Sequence, residues 1–302
     1  MASRIEILVT AHGTVESLDE LPGFLQVIRR GRPAPPDVVY EVRRRYEAIG
    51  GRSPLLEITR AQAAALSDAV GIPARVAMRL WSPRIEAAVR SMADAGVTKI
   101  VSVPIAPYST HVYDAAVEAA VKEIGAAIEV ARIGPWNRQP ALLDAFAKSA
   151  ADSWQALPSG ARGAIVWTAH SLPVKAIESG DPYARLVEET ARGSWERLAS
   201  QHSIDTSFRL AFQSQGMTND AWLGPDLPST LAILEAEKIT HAIVAPIGFL
   251  SDHVEILYDL DIEARALAQA RGITLSRTRT LNTDPLLIAA LASAVKKAAP
   301  AG

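Results

Sequence analysis

The sequence contains no cysteine among its 302 residues. A chain without thiols forms no disulfide bonds and offers no thiolate ligand for zinc or iron–sulfur clusters and no thiol nucleophile. Any metal that it binds must therefore meet nitrogen and oxygen ligands. A large excess of either charge is also absent, because 31 Lys and Arg residues face 33 Asp and Glu residues. This balance argues against nucleic acid as a partner.

Long apolar runs are missing as well. No stretch reaches the roughly 18 to 20 apolar residues that a membrane-spanning helix requires. The first residues lack the basic region and the small-residue cleavage site of a signal peptide. We therefore expect a cytoplasmic protein without integral membrane contact. The sequence also has no G-x-G-x-x-G after a strand and no G-x-x-x-x-G-K-[ST], which disfavours dinucleotide and P-loop nucleotide cofactors.

What the sequence does contain is 49% hydrophobic residues, arranged in short apolar runs that alternate with longer stretches of helical period. Its length predicts about two domains. The alternation predicts an α/β fold of two doubly wound, Rossmann-like domains with parallel sheets. The predicted strands cover residues 5–10, 75–80, 99–104, 128–133, 164–168, 208–212, 241–246 and 273–276.

Two short motifs occur twice in the chain, in the same order. Residues 10–13 (TAHG) resemble residues 168–171 (TAHS), and residues 104–112 align without a gap on residues 246–254. We interpret the matches as a duplicated domain. The first domain is predicted to cover residues 1–135 and the second residues 136–279, while a final helix within residues 280–302, with Pro285 as its first residue, packs back on the first.

Both motifs follow predicted strands. Because parallel α/β sheets bind ligands beyond the carboxyl ends of their strands, we expect His12 and His170 to line one cleft between the domains. An imidazole at the end of a buried strand fits a general base or a ligand for Fe, Co, Ni or Zn, and it equally fits a histidine hydrogen-bonded for structural reasons.

Three carboxylates, Glu255, Asp259 and Glu263, recur at a spacing of four and would line one edge of an α-helix. Such an acidic row is either a solvated helix face or a track for a cation. No Lys or Arg lies among residues 250–264 to compensate the charge, which favours the track. With His170, the row would supply the nitrogen and oxygen ligands that a divalent metal accepts.

Residues 29–52 carry seven arginines against three acidic residues. Arginine is suited to planar, bidentate recognition of carboxylates, although Arg43 and Arg44 also fit a solvated helix face. A basic segment and an acidic row in one chain indicate an anionic ligand together with a cation.

Six further segments follow one another over essentially the whole chain: residues 46–55 (YEAIGGRSPL), 168–173 (TAHSLP), 180–183 (GDPY), 213–216 (QSQG), 222–225 (WLGP) and 252–255 (DHVE). In this order, they resemble the successive signatures of the ferrochelatase family. Residues 28–32 (IRRGR), the compact length and the lack of cluster cysteines are similar to the coproporphyrin ferrochelatase branch of monoderm bacteria.

The resemblance implies a lyase of heme biosynthesis that inserts Fe²⁺ into a porphyrin, with coproporphyrin III converted to coproheme III. Fe²⁺ is then a substrate and no cofactor is required. His170 and Glu255 would be the catalytic residues, and together with Asp259 and Glu263 they would be metal ligands. The resemblance leaves room for a second divalent ion, Mg²⁺, at Asp259 and Glu263. A downstream heme-pathway enzyme would accept the product.

The same resemblance implies a set of porphyrin-binding residues: His12, Arg29, Arg30, Arg45, Arg52, Ser53 and Trp222. His12 stands where the coproporphyrin branch usually has tyrosine, which leads to the hypothesis that His12 is an axial ligand of the product iron. Three alternatives stay open at this point. They are a protoporphyrin IX ferrochelatase, a cobalt or nickel chelatase for another tetrapyrrole, and a non-catalytic heme- or porphyrin-binding protein.

Overall fold

The computed structural model describes residues 4–216 and 220–300. Its strands are β1 Ile5–Ala11, β2 Ala74–Met78, β3 Lys99–Pro104, β4 Glu129–Arg132, β5 Gly163–His170, β6 Leu210–Gln213, β7 His241–Pro246 and β8 Thr274–Arg277. Its α-helices are α1 Leu21–Ile28, α2 Pro36–Ala48, α3 Leu55–Val70, α4 Ile85–Asp94, α5 Thr110–Ile124, α6 Pro140–Gln155, α7 Val174–Glu178, α8 Tyr183–His202, α9 Leu227–Ala236, α10 Val254–Leu257, α11 Arg265–Gln269 and α12 Pro285–Ala298. A 3₁₀ helix covers Leu18–Glu20 and a π-helix covers Asp259–Ala264.

The strands form two parallel sheets of the same topology. One sheet has the order β2-β1-β3-β4 and the other has the order β6-β5-β7-β8. Strands β5 to β8 therefore occupy the same places in the second sheet as β1 to β4 occupy in the first. Each predicted strand is present, and its ends differ from the prediction by at most two residues. The α/β fold class, with two doubly wound parallel sheets, is therefore confirmed.

The repeated motifs occupy equivalent places in the two sheets. Thr10 at the end of β1 pairs with Pro104 of β3, and Thr168 of β5 pairs with Pro246 of β7. The second copy requires glycine at residue 248, because a Cβ there would lie 2.6 Å from the Cα of Ala169. Each motif thus marks the carboxyl end of a central strand, where parallel sheets present their loops.

Helices cover both faces of the first sheet. Leu8 of β1 packs with the apolar side of α4, whose Ile85, Val89 and Met92 recur at helical spacing. On the opposite face, Leu56 of α3 packs with Met78 at the end of β2. In the second sheet, the face that carries Val166 of β5 packs against α9 and against the stretch of helix around Leu260.

The chain divides into two compact units. Unit 1 comprises the described residues up to Trp136, Ser251–Val254 and those from Asn282 on, and unit 2 comprises Asn137–Leu250 and Glu255–Leu281. The predicted domain limits differ from these units at residue 136, at residues 251–254 and at residues 280–281. Within unit 1, the Ser251 hydroxyl accepts a hydrogen bond from Gln62 of α3. The helix α12 packs on α3 within unit 1, and Asp284 caps it by accepting from the backbone N–H of Leu286.

None of the helices in the described ranges is long and apolar enough to cross a lipid bilayer.

Candidate functional site

His170 is the last residue of β5, and its backbone is fixed from the neighbouring helix. The hydroxyl of Tyr183 donates a hydrogen bond of 2.9 Å to the carbonyl oxygen of His170. The GDPY segment creates this contact: Gly180 adopts a φ of +96°, and the carboxylate of Asp181 accepts from the N–H of Tyr183 at the start of α8. The segment therefore positions the strand end that carries the imidazole.

The imidazole of His170 meets the carboxylate of Glu255, with 3.1 Å between Nδ1 and Oε2. About a third of each side chain is exposed, 30% for the histidine and 34% for the glutamate. Burial lowers the pKa of His170, but the negative charges of Glu255 and Asp259 outweigh this effect, so the pKa is raised. The pair therefore holds a proton at higher pH than an isolated histidine does.

The acidic row does not lie on one α-helix, as the spacing had suggested. Regular α-helix α10 ends at Leu257, and the chain continues as the π-helix, in which the N–H of Glu263 donates to the carbonyl of Tyr258 five residues earlier. π-Helical turns are rare and recur at functional sites. Their wider turn changes the angle between residues four apart, so the arrangement of the row could not be derived from α-helical geometry.

The three carboxylates of the row differ in environment. Glu263 is exposed, and within the described ranges no Lys or Arg forms an ion pair with it. Asp259 is buried and accepts a hydrogen bond of 2.5 Å from the hydroxyl of Ser214. Arg277 binds Asp261 through two hydrogen bonds of 2.8 Å. The row therefore combines one exposed carboxylate, one buried carboxylate and Glu255, which contacts His170.

No preformed metal cage is present in the described part of the chain. Among residues 4–216 and 220–300, no three His, Asp or Glu side chains converge in a way that could hold a metal ion. The assignment of His170, Glu255, Asp259 and Glu263 as metal ligands thus stays a prediction. What the geometry does establish is the contact between His170 and Glu255 in unit 2.

Five of the seven arginines of residues 29–52 fall into two groups. Arg29, Arg30 and Arg52 are exposed, and none of them has an ion pair within residues 4–216 and 220–300. Arg44 and Arg45 instead bind the carboxylate of Glu41, at 2.9 and 3.0 Å. Their hydrogen bonds lower the pKa of Glu41 to about 2.

Ser53 and His12, both in unit 1, are placed by local structure. Ser53 is buried, and its hydroxyl accepts from the N–H of Leu55 at the first residue of α3, at 3.4 Å. His12 is exposed and follows the last residue of β1, and its carbonyl accepts from the N–H of Leu80. Gly13 has a φ of +104°, and a Cβ there would lie 2.9 Å from the backbone nitrogen of Trp81. His12 therefore occupies a tightly specified turn at a strand end.

Trp222, in unit 2, packs against the loop that follows β6. A Cβ on Gly216 would lie 2.7 Å from its ring, which explains the glycine of the QSQG segment. Within the described residues, Nε1 of Trp222 has no hydrogen-bond partner. Two residues of the QSQG segment were given no role from the sequence: Gln213 ends β6, and Ser214 binds Asp259. Their position just beyond a predicted apolar strand is the sequence signal that would have identified them.

The fold is shared with chelatases. The structure of SirB from Bacillus subtilis with Fe³⁺ superposes with a TM-score of 0.61, covering 98% of this chain and 96% of that one at 14% identity. At such low identity the likeness shows the fold alone. It places the chain in the class of proteins with a chelatase fold.

Sequence comparison resolves the family within that class. The Ferrochelatase family profile matches residues 4–299. A ferrochelatase of Deinococcus radiodurans is 38% identical, with 97% of this chain and 95% of the relative covered, and a coproporphyrin III ferrochelatase of Geobacillus kaustophilus is 35% identical, with 96% and 95% covered. The chain belongs to the ferrochelatase family of metal-chelating lyases, as its motifs had indicated.

Proposed function

We propose that this chain inserts Fe²⁺ into coproporphyrin III to give coproheme III. The observation that carries the choice of porphyrin is the exposure of Arg29, Arg30 and Arg52, which have no ion pair within the described ranges. Coproporphyrin III carries four propionates, whereas protoporphyrin IX carries two and is more apolar. Exposed guanidinium groups are suited to binding such carboxylates bidentately.

The names of the relatives support the proposal without deciding the substrate. The Geobacillus kaustophilus relative is named a coproporphyrin III ferrochelatase, whereas the name of the Deinococcus radiodurans relative specifies no porphyrin. Arg45 is left out of the proposed propionate contacts, because Glu41 already binds its guanidinium group. We place the reaction in the cytoplasm, with the product passing to a downstream heme-pathway enzyme.

In this proposal His170 and Glu255 act on protons. Insertion of Fe²⁺ replaces two N–H protons of the porphyrin, so a base must stand at the macrocycle centre. The imidazole of His170 accepts one of the two protons, the carboxylate 3.1 Å away stabilises the imidazolium that forms, and the other proton is released to water. The raised pKa of His170 supports this role, because its imidazole holds a proton more tightly than an isolated histidine does.

The acidic row would lead the metal substrate inward. Fe²⁺ accepts nitrogen and oxygen ligands, and the carboxylates pass from exposed Glu263 through buried Asp259 to Glu255 beside His170. A second divalent ion, Mg²⁺, would bind at Asp259 and Glu263. The reaction would need no resident cofactor.

Residues that would contact the porphyrin include Trp222, Ser53 and His12. The hypothesis for His12 is axial ligation of the product iron, since neutral imidazole is a common iron ligand. The visible spectrum of the coproheme complex tests it: His12→Ala should change the ligand-sensitive bands. An unchanged spectrum would remove His12 from the coordination sphere.

The test of the proposed function is anaerobic Fe²⁺ insertion, followed by the visible spectrum with coproporphyrin III and protoporphyrin IX in parallel. We expect coproporphyrin III to be metallated much faster. Faster reaction of protoporphyrin IX would overturn the choice of porphyrin and leave the family activity in place. Binding of both porphyrins without metallation by Fe²⁺ would refute iron insertion.

A further inference from the structure

The side-chain amide of Gln213 is buried without a partner. Its exposed fraction is 5%, and within residues 4–216 and 220–300 neither Oε1 nor Nε2 has a hydrogen-bond partner. A buried amide with both polar atoms unsatisfied destabilises a fold, and native proteins rarely keep one. The amide therefore points to a bound water or ligand that it would contact.

The register of the sheet places Gln213 beside the catalytic pair. Gln213 is the last residue of β6 and pairs with His170, the last residue of β5. Residues paired in a parallel sheet project to the same face, so the amide and the imidazole share one face at the carboxyl end. Thr168 lies two residues before His170 on that face, and its fully buried hydroxyl has no partner in the described part either.

The backbone around Gln213 is held on both sides. Its carbonyl accepts a hydrogen bond of 2.7 Å from the N–H of Ser171. The next residue, Ser214, adopts a φ of +57°, which is uncommon for a residue other than glycine, and donates its hydroxyl to Asp259. Gln213 thus neighbours His170 across the sheet and precedes the residue that binds Asp259.

We propose that Gln213 binds the divalent metal substrate through one of its water ligands, between Asp259 and His170. This inference rests on the proposed metal insertion. A hydrated cation presents water hydrogens, which the Oε1 atom accepts, while Nε2 donates to a water or carboxylate oxygen. Because an amide is neutral at every pH, it guides the hydrated ion without adding to the charge that retains it.

The experiment compares Gln213→Leu with Gln215→Leu, a matched control because Gln215 is exposed two residues further on. Leucine removes both polar atoms at similar volume, so the melting temperature should be unchanged or higher. We expect the KM for Fe²⁺ to rise about tenfold, as for residues that orient metal ligands. The porphyrin KM should stay unchanged. Gln213→Asn, which keeps the amide and retracts it, should show a smaller rise.

Calorimetric titration with Co²⁺ in the absence of porphyrin supplies a readout that needs no turnover. Gln213→Leu should bind Co²⁺ about tenfold more weakly than the wild type and the Gln215 variant do. Equal Co²⁺ affinity, or a lower melting temperature with unchanged KM, would overturn the inference by showing a structural amide. Weaker Co²⁺ binding in a protein whose wild type metallates no porphyrin would refute the proposed function and support the site.

Discussion

Replacing Glu255 by glutamine should move the acid limb of the profile of kcat/KM against pH. Two unit charges 3.1 Å apart attract by about 5 kcal/mol at an effective dielectric constant near 20. Because about a third of each side chain is exposed, screening and desolvation reduce the net value to about 1–2 kcal/mol. Each 1.4 kcal/mol of that interaction corresponds to roughly one pH unit in the position of the limb.

The direction in which the acid limb moves follows from the pKa of His170, which its carboxylate neighbours raise above the ordinary value. Neutral imidazole is the form that accepts a proton, so kcat/KM should increase as pH rises through that pKa. Glu255→Gln removes the main stabilisation of the imidazolium, which moves the limb to lower pH. The maximum should fall about a hundredfold, because the charge opposite the proton acceptor is lost.

The free energy of unfolding should depend on pH through the same pKa of His170. A group whose pKa is raised in the folded state stabilises the fold. This stabilisation is complete below the ordinary histidine pKa, and it is lost as the pH rises through the pKa of the folded state. The wild type should therefore exceed Glu255→Gln in unfolding free energy by about 1–2 kcal/mol at pH 6, and the difference should shrink at pH 9. Urea denaturation at both pH values measures it.

The control is Glu196→Gln, which removes an exposed carboxylate from α8 of the same unit. It changes the net charge equally but lies outside the proposed site. An acid limb at the same pH in Glu255→Gln and the wild type would refute the reasoning, since the contact would then not control the protonation of His170.

Three further changes test separate features. Tyr183→Phe removes the hydrogen bond to the carbonyl of His170 and should lower the unfolding free energy by about 1 kcal/mol in urea denaturation. Gly248→Ala places a Cβ 2.6 Å from the Cα of Ala169, so we expect a loss of about 1–3 kcal/mol by the same assay. Arg29→Ala should raise the KM for coproporphyrin III several-fold in steady-state kinetics, because one guanidinium–carboxylate contact contributes about 1 kcal/mol to binding.

Arg44→Ala is the control for the last of these, because Glu41 already binds that guanidinium group. Equal KM values for the Arg29 and Arg44 variants would contradict the division of the arginines into two groups. Unchanged stability on Gly248→Ala would show that the loop accommodates a side chain.

The strands were predictable because buried parallel strands appear as short apolar runs between helical stretches. The end of β6 was less clear, since the predicted strand stopped at Phe212 and the structure continues to Gln213. That one residue matters, because it places the amide beside His170. Local propensity does not encode such an end, which depends on pairing with β5.

Side-chain pairing was the least predictable part. The sequence shows seven arginines alike, whereas the structure pairs Arg44 and Arg45 with Glu41 and leaves Arg29 without an ion pair in the described ranges. The π-helix was missed because a spacing of four was interpreted on an α-helix. The contact between Ser214 and Asp259 depends on a left-handed backbone, which serine seldom adopts.

The position of α12 bears on the order of events during protein synthesis. The ribosome makes α3 early, but its packing partner α12 emerges only after all of Asn137–Leu281. Domains tend to fold as units while the chain grows. We therefore expect the half that begins the chain to stay incomplete and exposed to chaperones until translation is almost finished.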